Sequence, residues 1–193
     1  MKYTTTIELD DQEERFSVGD IISFVLNDGE YMEAMAVQHD DDGMLFCAVD
    51  CLADEYPFKL DGKNGGGYEA SDLREILNTI ILPRFPEELV KRMVPFSSGD
   101  LLRIPTEKEI FGKNEWCEDE GENVTQWEPM KLRRNRIAFH GHNGTWEWYW
   151  LMSRLRSVHS ATDAAAVDQN GYAYDDGASG SDGVRPLFKI KDH

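Results

Sequence analysis

The sequence predicts an α+β fold in which an N-terminal β-meander precedes short helices and a strand-and-loop C-terminal third. Three observations carry this reading. Apolar runs bounded by Gly, Asn and Asp recur between Gly19 and Val49. The apolar period then lengthens to helical spacing between Ser71 and Phe111. Beyond Ser153 the composition shifts to Ser, Ala, Asp and Gly. A chain of 193 residues is expected to form a single domain, 1–193, with a sizeable core.

Gly19-Asp20 opens a first strand, Ile21 to Leu26, and Asn27-Asp28-Gly29 turns the chain into a second, Tyr31 to Gln38. Asp41-Asp42-Gly43 turns it again into Met44 to Val49, so the meander occupies 19–60. A helical scaffold follows over 68–112. Ser71 N-caps a helix in which Leu73, Ile76, Leu77, Ile80 and Ile81 repeat at helical spacing. Pro86 starts a short helix, Glu87 to Met93, with acids first and Lys91-Arg92 last, as the helix dipole favours. Thr106 and Glu109 form a capping box for a third helix through Phe111. Residues 113–126 read as a polar loop. In Trp146-Glu147-Trp148-Tyr149-Trp150 the three indoles alternate, so one strand would place them on one face as a core layer. Short strands are expected at Ala164–Asp168 and Gly171–Tyr174 around the turn Gln169-Asn170-Gly171, and Gly183 to Ile190 closes the chain as a strand.

Charge narrows the function classes. With 20 Lys+Arg against 37 Asp+Glu the net charge is −17, which repels phosphate, so no nucleic-acid partner is expected. No apolar run reaches the roughly 18 residues of a membrane span, so no membrane partner is expected either. The start turns acidic by Glu8 without an apolar signal region, which predicts synthesis in the cytoplasm without a signal peptide. Acidic clusters at Glu8–Glu14, Asp40–Asp42 and Glu118–Glu122 read as solvated loops, and none has the spacing of a calcium loop.

Chemistry-bearing motifs are few. Three cysteines make no disulfide framework; Cys47 and Cys51 read as buried thiols, and Cys117 sits among acids that blunt its reactivity. No Gly-x-Ser-x-Gly elbow is present, and Gly65-Gly66-Gly67 lacks the Lys-Ser/Thr of a phosphate loop. The basic run Lys131, Arg133, Arg134 and Arg136 is expected to pair with the neighbouring acidic loop. His140-Gly141-His142 would put two imidazoles on one side of a strand, with His159 or an Asp needed to complete a zinc site; Gly141 and Asn143-Gly144 make the segment read as a hairpin turn instead. No metal and no other cofactor is expected.

Four segments together resemble a known family. Tyr68-Glu69-Ala70-Ser71-Asp72-Leu73-Arg74-Glu75-Ile76-Leu77-Asn78 is similar to the Y-x-x-S-D-L-R-x-x-L-N helix of a domain family of unknown function common in gut Firmicutes and their phages. Leu102-Arg103-Ile104-Pro105-Thr106-Glu107-Lys108-Glu109, Trp148-Tyr149-Trp150-Leu151 and Gly183-Val184-Arg185-Pro186 are its other marks, in an order that runs from about Gly19 to Ile190. That family looks related to the C-type-lectin-like fold of formylglycine-generating-enzyme type and to the variable proteins of diversity-generating retroelements. The resemblance implies a C-type-lectin-like half over 137–190. The chain departs from the enzyme branch, having no cysteine after Cys117, and it lacks the Glu-Pro-Asn and Trp-Asn-Asp motifs of calcium-dependent sugar binding.

What the resemblance implies is a non-enzymatic ligand-binding protein whose variable cassette, about 152–182, meets a protein or glycan on a bacterial host surface, and which is virion-associated if phage-encoded. The composition can be set against this. Between Ser153 and Gly183 there are 31 residues, 20 of them Ser, Ala, Asp or Gly, with no Lys or Glu. Scrambling the first two bases of an AAC codon never yields Lys, Glu, Gln, Met or Trp, and only Gln169 in this window falls outside the reachable set. The expected binding residues are Arg154, Arg156, Ser157, His159, Asp163, Asp168, Asn170, Tyr172, Tyr174, Asp175, Ser179 and Ser181, tyrosines offering rigid rings and the rest adaptable hydrogen bonds. The rival readings are a metal-assisted enzyme near His140 and His142, and a structural phage or assembly component whose small-residue face packs on another chain.

Overall fold

Two acid-and-glycine turns build the meander. Gly29 adopts a φ of 95°, its N–H donates to Leu26 O (2.8 Å), and the Asp28 carboxylate accepts the Glu30 N–H (3.2 Å). At the second turn the Asp40 carboxylate accepts the N–H groups of Asp42 (3.0 Å) and Gly43 (3.1 Å), and a Cβ on Gly43 would overlap the Ile190 carbonyl. The computed structural model describes residues 16–159 and 161–191, so the cluster Glu8–Glu14 and Ser160 lie outside the described residues. In it these turns join strands β1 (Ile21–Val25), β2 (Tyr31–Asp40) and β3 (Gly43–Ala48). The sheet is completed by β12 (Leu187–Ile190) and β5 (Met93–Val94) in the order β1-β2-β3-β12-β5, every pair antiparallel.

Alternation along these strands feeds two apolar layers. Ala34, Ala36, Phe46, Phe188 and Ile190 point to one, with Leu73, Leu77, Ile81 and Trp150; Val37, Leu45, Cys47 and Leu187 point to the other, with Ile110, Trp127, Met130 and Tyr149. Lys189 is the exception on β12. Its ammonium is accommodated beside Asp40 (2.7 Å) and Asp42 (3.6 Å), the two acids of the turn.

The middle of the chain is helical, in shorter pieces than the periodicity predicts. Helix α1 (Asp72–Ile76) passes into a π-turn, Leu77–Ile81, and a 3-10 turn, Leu82–Arg84. Pro83 has no N–H to continue the ladder. Leu73, Leu77 and Ile81 face the core, while Ile80, expected there too, is 54% exposed. Helix α2 covers only Glu87–Val90, because Met93 leaves it to pair with Ile190 in β5. Helix α3 (Glu107–Phe111) carries the expected capping box in full. The family-like motif consists of fasteners. Ser71 caps α1, Asp72 accepts the Leu60 N–H (2.7 Å), and Arg74 meets Asp100 (2.7 Å). The Asn78 amide donates to Arg74 O and Leu102 O and accepts the N–H groups of Leu101 and Leu102.

The C-terminal part is built from short strands. β6 (Ala138–Phe139) pairs with β7 (Trp146–Glu147), and β8 (Tyr149–Trp150), β9 (Asp163–Val167) and β10 (Ala173–Gly177) form a second sheet in the order β10-β9-β8. β4 (Tyr56–Pro57) pairs with β11 (Ser181–Asp182). The expected single indole strand is therefore broken at Trp148, and its residues diverge: Trp150 is sealed in the core, Trp148 is half-buried and Trp146 is 57% exposed. Val184, Arg185, Leu187 and Phe188 are buried behind them. Among the described residues Arg185 has no carboxylate partner; it donates to Ala48 O (2.9 Å), Asn135 O (3.3 Å) and the Tyr149 hydroxyl (3.1 Å) and lies over the Tyr149 ring. Among the described residues no helix is long and apolar enough to cross a membrane.

Candidate functional site

The polar loop after α3 is positioned by one buried carboxylate. Glu107 accepts the N–H groups of Trp116 (2.9 Å) and Cys117 (3.0 Å) and the Asn114 amide (3.4 Å), and its own N–H donates to Ser153 Oγ (2.6 Å). The loop then pairs with residues just after Ser153: Arg156 N–H donates to Trp116 O (3.1 Å) and Glu118 N–H to Arg154 O (2.8 Å). These bonds hold the Trp116 indole, half-buried, beside His159, with ring centroids 5.0 Å apart.

Around Trp116 a row of rings forms. Tyr174, 47% exposed on β10, packs against Trp116 (5.6 Å) on one side and Trp148 (5.3 Å, near-perpendicular) on the other. The row is thus Trp148–Tyr174–Trp116–His159, partly open to solvent throughout. Next to it His159 Nδ1 lies 3.7 Å from the Asp175 carboxylate. Partial burial, followed by the charge of Asp163, raises the Asp175 carboxyl above its ordinary value, with the His159 imidazole opposing. Trp148 is fixed in turn by donating its indole N–H to the Gln169 side chain. Rings that present π-faces beside an imidazole and carboxylates suit a target with both apolar and hydrogen-bonding surface.

The twelve expected residues divide between this row and its surroundings. His159, Tyr174 and Asp175 are brought together, with Asp163 close enough for its charge to act on Asp175. Asn170 and Tyr172 sit at the β9–β10 hairpin tip, where the Asp168 carboxylate accepts both their N–H groups (2.9 and 2.8 Å), so Asp168 shapes the turn. Arg133 reaches this tip, donating to Asn170 O (3.1 Å) with its guanidinium over the Tyr172 ring, Arg136 lies over Phe111, and Lys131 pairs with Glu128, so these three members of the basic run are engaged outside the loop Glu118–Glu122. Arg156 is spent on its own scaffold, donating to Cys117 O and Asn114 O. Arg154, 3.8 Å from Glu118, and Ser157 are exposed beside the row. Ser179 and Ser181 are exposed beyond the opposite end of the hairpin.

The stretch 152–182, expected to be a binding cassette, is not surface throughout. Ser153, Leu155, Ala164 to Val167, Ala178 and Asp182 are buried. β9 has both faces covered: Ala164 and Ala166 enter one apolar layer, Ala165 and Val167 the other. Composition could not reveal this, because a buried alanine and an exposed one look alike in a small-residue stretch. Trp116 was equally hidden, lying in a segment without periodicity; a lone indole among acids was its only signal.

Other chemistry is distributed as follows. Cys47, Cys51 and Cys117 are all buried, and burial pushes each thiol upward, so none is poised as a nucleophile. A cleft of about 480 Å³ lined by Tyr68, Phe96, Arg103, Glu109, Met152 and Lys189 has both its cations answered, Arg103 by Glu109 and Lys189 by Asp40. The two histidines of His140-Gly141-His142 part company at the turn, where Gly141 has a φ of 58°. His142 packs on Tyr31 (4.5 Å), whereas His140 faces Glu55 and Glu147. Comparison of the chain with family models, curated proteins and solved structures finds no match in any of the three.

Proposed function

We propose that the protein is a non-enzymatic binding protein whose cassette meets a protein or glycan on a bacterial host surface through the ring row and the exposed residues beside it. The observation that carries this reading is the row itself: Trp148, Tyr174, Trp116 and His159 are partly open to solvent while each packs against the next ring. Anchored, partly exposed aromatics contribute contact area with little entropy left to lose on binding. The C-terminal half is read as C-type-lectin-like, with short strands and long connections presenting a variable face. The diversified origin of that face has separate support. Gln169, the one residue of the window that adenine-directed scrambling cannot reach, is bonded to the Trp148 indole and so belongs to the frame, while Tyr172 and Tyr174, which follow it, are exposed.

The test uses the intact chain, labelled, on cells of gut Firmicutes and on immobilised glycans. Trp116→Ala and Tyr174→Ala should each lower binding at least about 10-fold, the usual cost of losing an aromatic anchor, and Ser179→Ala should leave it unchanged. Equal binding by all three variants would overturn the reading. The encoding DNA offers a second check: a near-copy of the cassette differing at adenines, beside a reverse-transcriptase gene.

A further inference from the structure

The geometry points to a divalent transition-metal site, of the zinc class, formed by Glu55, His140 and Glu147. It adjoins the ring row at Trp148, whose N–H bonds Glu147, but uses none of the row's side chains. The β6–β7 hairpin closes through His140 N–H donating to Thr145 O (2.8 Å), which brings His140 beside Glu147. Cys51 N–H donates to Phe139 O (2.9 Å) and Gly141 N–H to Cys51 O (3.1 Å), which lays the segment leading to Glu55 alongside. His140 Nδ1 then stands 3.3 Å from Glu147 Oε2 and 3.4 Å from Glu55 Oε1, and the three donor atoms lie within 4.8 Å of one another. A tetrahedral ion with bonds of about 2.0–2.1 Å holds its ligand atoms roughly 3.3 Å apart.

The surroundings also fit. Glu147 Oε1 accepts the Trp148 N–H (2.9 Å), which orients the carboxylate and leaves Oε2 toward the imidazole. Asp182, on the neighbouring strand, lies near enough for the charges of Glu147 and Glu55 to act on it. It is 7% exposed, and its Oδ2 has no hydrogen-bond partner. β11 pairs it with Tyr56, the residue after Glu55, and a Cβ on the next residue, Gly183, would fall 2.7 Å from Glu147 Cγ. Two carboxylates thus face a single imidazole, and among the described residues no Lys or Arg is paired with Glu55 or Glu147. A bound dication offsets that charge. The nitrogen donor favours late first-row ions over calcium or magnesium, which take oxygen.

The experiment uses the full chain, stripped with a chelator and dialysed. Zinc titrated into it calorimetrically at about pH 7.5 should bind one equivalent per chain, and cobalt(II) should give the intense visible bands of tetrahedral coordination. Glu55→Gln and His140→Ala should each weaken zinc at least about 10-fold and abolish the cobalt bands, since even outer-shell partners are worth about 10–100-fold. Glu55 is partly exposed, so Glu55→Gln keeps its fold, checked by an unchanged melting temperature in chelator. Absence of stoichiometric zinc, undiminished binding by folded Glu55→Gln, or a cobalt spectrum of octahedral aquo type would each overturn the assignment.

Discussion

Three buried polar groups decide more than their number suggests. Glu107 ties Trp116 and Cys117 to α3, so Glu107→Ala leaves two backbone N–H groups buried without partners. It should destabilise the chain by about 2–4 kcal/mol in denaturant unfolding and lower target binding with it. Arg185→Met removes the donors to Ala48 O and Asn135 O and should cost about 2–4 kcal/mol by the same assay. Asp182 makes a pH prediction. Burial, then the charges of Asp176, Glu147 and Glu55, raise its carboxyl to about 7. An unfolded aspartate releases its proton near pH 3.8, so between those values the folded chain binds the extra proton and loses stability as pH rises. In metal-free buffer stability should fall by about 2–4 kcal/mol across this window, each pH unit being worth up to ~1.4 kcal/mol, and Asp182→Asn should flatten the fall. None of these roles was legible in the sequence. Glu107 reads only as a first-turn acid of a capping box and Asp182 as one more cassette aspartate, because burial is a property of what packs above a residue.

At the scale of elements, legibility followed local signals. The meander turns and the α3 capping box rest on contacts within a few residues, and the structure contains them where the sequence put them. The indole segment did not follow its alternation. Trp148 bonds Gln169 at the hairpin instead of extending the strand, which frees Trp146 and leaves Trp150 alone in the core, donating to Tyr56 O (2.8 Å). Trp150→Ala should therefore cost about 3–5 kcal/mol, while Trp146→Ala should stay within about 0.5 kcal/mol; similar losses for both would mean a continuous indole layer after all. Helix α1 ends in a π-turn for a comparable reason, since Asn78 bonds the remote Leu101–Leu102 backbone and Pro83 forbids further ladder.

The whole molecule is organised by a contact no local pattern announces: β12, from the end of the chain, inserts between β3 and β5, and the cassette is strung between two core strands, β8 and β12. That is why the cassette alternates between frame and surface instead of forming a detached loop. Its buried members belong to the core, and its exposed members do not. The most direct test replaces Arg154, Ser157, Asn170, Tyr172, Tyr174, Ser179 and Ser181 together with residues of an unrelated cassette, keeping Leu155, Ala164 to Val167, Gln169, Ala178 and Asp182, and measures thermal unfolding beside binding to host cells. The melting temperature should fall by less than about 6 °C, as expected for surface changes, with binding abolished or redirected. Unfolding at ambient temperature, or binding that survives the exchange, would contradict it.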